Sequence, residues 1–224
     1  MINFSPSTLN YPIHWQIKIE PIYRIFNKKE YLDDFLENGN LLISCLESFK
    51  KYEDEMQGDN SEGNFTIFAS NEKGDVNGLN YDAGLNAYIL CATTELNDKV
   101  IKDFDGVCAL KINNSSFFAL EIAKKLPYVT SGVEGKCDYR ESKNLYFEKG
   151  SFEEKVFNSM KYENSPESHA IINQIVGGNE IFTKHLKYSH QNEYRFSWFS
   201  KNKINSNVII KSLEAKDYCE PIYF

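Results

Sequence analysis

The sequence has little that would carry it into a membrane, a metal centre or an oxidising compartment. Its longest apolar runs, "LLISCL", "AYILCA" and "NVIIK", are strand-sized in a chain of 224 residues. None approaches the ~20 residues of a membrane-spanning helix, so no membrane partner is expected. The opening "MINFSPSTLNYPIHW" has no basic stretch leading into a long apolar one, so no signal peptide is expected and the protein is placed in the cytoplasm. The five cysteines (Cys45, Cys91, Cys108, Cys137, Cys219) are dispersed, odd in number and without CxxC spacing. They read as buried free thiols in reducing surroundings. The four histidines, His14, His169, His185 and His190, form no HExxH or HxH, so no metal is expected. No GxSxG elbow marks a serine nucleophile, and neither "VGGN" nor "GDVNGLNYDAG" has the spacing of a phosphate loop. Positive charge is short: 25 Lys and Arg against 32 Asp and Glu leave a formal charge of −7. That excludes a surface coated for non-specific nucleic-acid binding and leaves a local basic groove open. There is no repeat, heptad or low-complexity tract.

What is present is apolar and aromatic mass. Hydrophobic residues make up 42% of the chain, with 16 Phe and 14 Tyr, enough for a substantial core and too many for general disorder. The length fits one domain over 1–224, with 1–19 as an N-terminal arm. Residues 59–84, rich in Gly and Asn, are expected to be a mobile excursion.

Strand and helix signals alternate. "PIYRIF" reads as a strand leading to Asn27 as N-cap of a helix whose Tyr31, Leu32, Phe35 and Leu36 fall at helical spacing, and Gly39 stops it. "LLISCL", "NAYILCATTE" and "DGVCALKI" are further strands, and "ESFKKYEDEMQGDNSEG" a loop or short helical turn. Asn114 or Ser115 caps the helix "SFFALEIAKKL", which Pro127 ends. "YVTSGVEGKCDY" reads as a hairpin with a glycine turn, 150–187 as two helical pieces, and "NVIIKSLEA" as the last strand. The pattern predicts an α+β fold: a mostly antiparallel central sheet with inserted helices.

One strand raises a question. In "YSHQNEYRFSWF", Tyr194, Phe196 and Trp198 form one aromatic face. Gln191, Glu193 and Arg195 occupy the other face, expected to be the outer one. A solvated Glu193–Arg195 ion pair would contribute little. The same kit suits a nucleotide-sugar: arginine grips phosphate bidentately, and a carboxylate stabilises an oxocarbenium-like centre.

The order of these pieces resembles a bacterial family of uncharacterised proteins. Its plan stands here as "IYRIF", "LDDFLENGNLLIS", "CLESFKKYEDEMQGD", "AYILCATTE", "FDGVCALKI" and "KHLKYSHQNEYRFSWF", over about residues 20–212. The family's FnDpfE is altered to "FKKYEDE", and its tryptophan–tyrosine segment before the "GVC" strand is missing. The same order resembles a reduced ADP-ribosyltransferase of the arginine–serine–glutamate class, with "QNE" as its Q/E-x-E motif.

That resemblance implies an ADP-ribosyltransferase-like fold and NAD as substrate. It implies that Arg24 binds NAD phosphate and that Ser44, in competition with Thr93 or Thr94, holds the nicotinamide side. Glu193 would stabilise the developing cation and Gln191 orient the acceptor. Tyr23, Phe49 or Tyr194 would stack on nicotinamide if not used in the core, and Arg195 would be structural or phosphate-facing. The implied partners are a macromolecular acceptor, protein or nucleic acid, and an antitoxin or inhibitor protein, in toxin–antitoxin or phage-defence biology. A non-catalytic binding protein and an NAD glycohydrolase stand as alternatives.

Overall fold

A computed structural model describes residues 2–4, 21–50, 62–147, 157–158 and 179–224. The chain groups into two compact units: Met1–Asn60, Leu85–Cys137 and Lys187–Phe224 form the first, Ser61–Gly84 and Asp138–Leu186 the second. Strands are numbered in chain order. The first unit holds β1 (Ile2–Phe4), β2 (Ile22–Phe26), β3 (Asn40–Cys45), β6 (Ala87–Thr93), β7 (Cys108–Ile112), β8 (Val129–Lys136), β12 (Glu193–Ser200), β13 (Val208–Lys211) and β14 (Cys219–Tyr223). The second holds β4 (Asn64–Ser70), β5 (Val76–Asp82), β9 (Asp138–Arg140), β10 (Asn144–Phe147) and β11 (Thr183–His185). The first unit also holds the helices α1 (Lys29–Asn38), α2 (Leu46–Phe49), α3 (Asp98–Asp103) and α4 (Ser115–Ala123).

The first unit is one sheet in the order β1-β8-β12-β6-β2-β7-β14, each pair antiparallel. β3 also pairs with β6, antiparallel, and carries β13 at its far side. The molecule is thus α+β with a mostly antiparallel central sheet and few helices. One face of that sheet holds the main core. Tyr194, Phe196 and Trp198 lie there as their alternation predicts, with Leu32 and Phe35 of α1 and Phe118 and Ile122 of α4. Aromatic contacts join the layers: Phe118 to Phe196 at 5.5 Å between centroids and Phe35 to Phe118 at 6.4 Å. Trp198 donates its indole N–H to the Ala119 carbonyl at 3.0 Å, so its one polar atom is satisfied inside the core. α4 is capped by Asn114, whose side chain accepts the Phe117 N–H at 3.1 Å.

Several local expectations are corrected. α1 is N-capped at Lys28 and not Asn27, with no side-chain cap bond. "YVTSGVEGKCDY" is no hairpin, because its glycines lie inside β8 and not at a turn. Gly132 stands opposite Trp198 and Gly135 opposite Arg195 across β12. Glycines inside a strand mark places where another group approaches closely, here Trp198 and Arg195 of the partner strand. β14 follows the strand expected to be last; Pro221 is tolerated because β14 lies at the sheet edge. Apart from these corrections, the described part of the stretch 59–84 holds a hairpin, β4–β5, whose Phe65, Ile67 and Ala69 alternate inward. The helical pieces expected over 150–187 lie mostly outside the described residues. In the second unit β10 pairs parallel with β4, and β11 with β9. Its small core holds Ile67, Ala69 and Phe157.

Candidate active site

The edge of β6 that faces away from β12 is shared by two strands. β2 pairs with it only at Tyr23–Thr93, and β3 only at Ser44–Ile89 and Cys45–Tyr88. Cys91 falls in the gap between them. Arg24 occupies this gap, and its Nη1 donates to the Cys91 carbonyl at 2.9 Å. The guanidinium lies 5.9 Å from the Phe26 ring centroid, and its Nε is buried with no hydrogen-bond partner among the described residues. The sequence fold thereby brings a fixed positive charge, with one donor in reserve, to a sheet opening.

Across the same sheet runs the row Tyr23–Thr93–Glu193. The Thr93 hydroxyl, buried, lies 2.8 Å from the Gln191 carbonyl, 2.9 Å from that of Glu95 and 3.5 Å from that of Asn192, any of which can accept from it. It also accepts the Glu95 N–H at 3.1 Å. Asn192 separates Gln191 from Glu193 and is left-handed, with φ of 43°, a conformation Asn tolerates. Its carbonyl accepts from the Thr94 backbone at 2.9 Å, and its side chain donates to Glu95 at 3.0 Å. This turn sets both Gln191 and Glu193 on one cavity.

That cavity, about 30 Å³, is lined by Tyr23, Arg24, Thr93, Phe104, Gln191 and Glu193 among others. It admits a group the size of water, since one water needs roughly 10–15 Å³ on this measure. Two walls are tied together: His190, beside Gln191, meets Asp103, beside Phe104, through Nε2 at 2.6 Å. His190 Nδ1 lies 3.2 Å from the Lys187 carbonyl, which can only accept.

The expectation that Gln191, Glu193 and Arg195 lie on a solvated outer face is overturned. They are 1%, 5% and 3% exposed, and Arg195 Nε donates to Glu193 Oε1 within β12. β12 is an inner strand with β6 and β8 on its two sides, and almost every residue on both faces is buried. A buried pair of this kind is costly to break from either side, because the charge left behind has lost both water and partner.

The other candidate residues fall elsewhere. Ser44 shares the sheet face of Glu193, but ideal strand geometry separates them by two strand spacings, ~10 Å, and four residues, ~13 Å. Phe49 packs beside the cluster of Leu46, Ala87 and Ile89. Tyr194 is on the core face, its ring centroid 5.5 Å from that of Phe196 and its hydroxyl 3.4 Å from Ser115 Oγ. The structure thus joins Tyr23, Arg24, Gln191 and Glu193 in one cavity and leaves Ser44, Phe49 and Tyr194 out of it. Thr93, Phe104 and the His190–Asp103 bond enter the site, and of these only Thr93 carried a signal in the sequence.

A second carboxylate is buried on the core face. Glu134 of β8 is 0% exposed and accepts a hydrogen bond from the Ser116 hydroxyl. Burial pushes its carboxyl up, opposed in part by the hydroxyls of Ser116, Ser115 and Tyr194. The Tyr194 phenol is in turn pushed up by burial and by Glu134.

Among the described residues no three His, Cys, Asp or Glu side chains gather as metal ligands, and no helix is long and apolar enough to cross a membrane. Comparison of the chain with protein-family models, with curated proteins and with solved structures gives no match in any of the three.

Proposed function

We propose that this chain is an ADP-ribosyltransferase-like enzyme that moves ADP-ribose from NAD to a macromolecular acceptor. The observation that carries the reading is the convergence of Tyr23, Arg24, Gln191 and Glu193, from strands far apart in sequence, on one cavity. Arg24 then binds a phosphate of NAD with the Nε donor that the protein leaves unused. Thr93 takes the hydroxyl role that the resemblance gives to a serine, since its side chain is in the cavity wall and Ser44 is not. As the glycosidic C–N bond breaks, its electron pair leaves with nicotinamide and positive charge develops on the ribose carbon. The Glu193 carboxylate offsets that charge. The acceptor nucleophile, oriented by Gln191, bonds to the same carbon and gives up its proton.

The size of the cavity sets a condition. A dinucleotide enters only if the walls at Phe104 and Gln191 part, and the His190–Asp103 bond resists this. Thermal unfolding with millimolar NAD tests binding directly, because a ligand selective for the native state raises Tm by mass action. A rise that Arg24→Ala removes supports the reading.

A second reading is favoured by the Glu193–Arg195 pair and by the small cavity: a non-catalytic binding protein in which these groups hold the sheet together. No Tm shift at millimolar NAD, with Glu193→Gln and Arg195→Ala equally destabilising, supports that alternative.

A further inference from the structure

The second unit holds a separate cavity of about 600 Å³, within the roughly 300–1,000 Å³ of small-molecule sites. Its walls include Asn64, Thr66, Asn80, Asp82, Glu141 and Asn144. Cross-strand register puts Asn144, Thr66 and Asn80 in one row across β10, β4 and β5, with Asn64 and Asp82 in the next row on the same face. The row on the other side, ~7 Å along the strands, is Tyr146, Phe68 and Gly78. Phe68 and Tyr146 stack at 5.1 Å with 12° between their planes. A Cβ at Gly78 would meet the Phe68 ring at 3.1 Å, so the glycine leaves that ring room to lie over β5. Tyr146 remains 66% exposed, and its hydroxyl accepts from Asn144 Nδ2 at 3.3 Å.

We propose that this cavity and the aromatic stack beside it bind a neutral carbohydrate. Side-chain amides offer both donors and acceptors, which matches sugar hydroxyls that are themselves both. The exposed Tyr146 ring, stacked on the half-buried Phe68, supplies the apolar platform that the C–H face of a pyranose covers. An apolar ligand would find walls dominated by amides, hydroxyls and charges. A phosphate or a nucleic-acid backbone would meet Asp82 and Glu141, with Lys143 as the one Lys or Arg among the described lining residues. The site is independent of the Arg24–Glu193 cavity, and its test needs no NAD.

The test applies the full chain to a glycan array bearing neutral, sialylated and sulfated glycans, with oligo(dT) alongside, followed by titration of the best neutral glycan. The expected result is selective binding of neutral glycans, weakened about tenfold or more by Tyr146→Ala and separately by Asn80→Ala. Both positions are exposed, and unchanged thermal unfolding confirms that the variants are folded. Absence of any neutral-glycan signal overturns the proposal. So does binding that both variants retain at wild-type strength, or binding of oligo(dT) in preference to every glycan.

Discussion

Arg24 donates Nη1 to the Cys91 carbonyl at 2.9 Å, in the gap where β2 and β3 part along the edge of β6. One side chain therefore both completes a sheet edge and lines the cavity that Glu193 lines from β12. The guanidinium that closes this edge is the one proposed to bind NAD phosphate, and variants must separate the two roles.

Arg24→Ala leaves a carbonyl without its side-chain donor and is expected to destabilise the fold by about 1–3 kcal/mol. Arg24→Lys keeps a donor for that carbonyl but loses the bidentate fork. It is expected to recover most of the stability and little of the NAD-induced Tm shift. Chemical denaturation with and without NAD measures both. A lysine variant that recovers the full NAD shift contradicts the phosphate role.

His190→Ala removes the 2.6 Å bond that ties the Gln191 segment to the Phe104 segment. Loss of a bond to a carboxylate is expected to cost about 1–3 kcal/mol. Hydrogen exchange is expected to quicken at 101–105 and 187–192 and to stay slow at 108–112. Equal acceleration throughout the sheet would show that the bond supports the whole fold and not the cavity wall.

Glu134 gives a pH prediction. Its folded-state carboxyl is pushed above the ordinary value of 4.5, so the native state holds this proton more tightly than the unfolded chain does. The contribution is present below about pH 4.5 and is lost as pH rises through the folded value. Glu134→Gln keeps a neutral hydrogen-bonding group of the same size. The stability difference, variant minus wild type, is expected to increase as pH rises above about 4.5 and to level off once pH has passed the folded value. A difference that stays flat from pH 4 to 8 contradicts a neutral buried carboxyl.

Gly39 and Gly74 form an internal comparison. Both have left-handed backbones, φ 77° and 85°. A Cβ at Gly39 would lie 2.7 Å from the Ser212 carbonyl carbon, whereas one at Gly74 meets nothing within 4 Å among the described residues. Gly74→Ala is expected to cost about 1–2 kcal/mol from conformation alone. Gly39→Ala is expected to cost clearly more, because backbone must move. Equal costs in denaturant titrations contradict the close approach of β3 and β13 at this end.

The sheet was legible where a period was clean. Tyr194, Phe196 and Trp198 announce one inner face, and Gly39 announces the end of α1. Burial of the opposite face of β12 was not legible, since polar residues at every second position read as solvated when the strands beside them are unknown. Gly132 and Gly135 suggested a turn because local signals do not reveal that Trp198 and Arg195 stand opposite. β14, beyond the strand expected to be last, holds Pro221 at the sheet edge, where a missing N–H costs no ladder bond. In the site, Arg24, Gln191 and Glu193 stood out by chemistry, and Thr93 was visible as a rival to Ser44. The partnership of His190 with Asp103 joins residues 87 apart, a separation no periodicity reaches.

The most direct measurement is release of nicotinamide from NAD by wild type and by Glu193→Gln, normalised to folded protein. Normalisation is needed because Glu193 is the buried partner of Arg195, and the substitution is expected to lower stability as well. The account predicts that wild type releases nicotinamide and transfers label to an acceptor, and that the folded variant is slower by about a hundredfold or more. Equal rates in the two folded proteins, or no release by wild type in the presence of cell lysate, would contradict it.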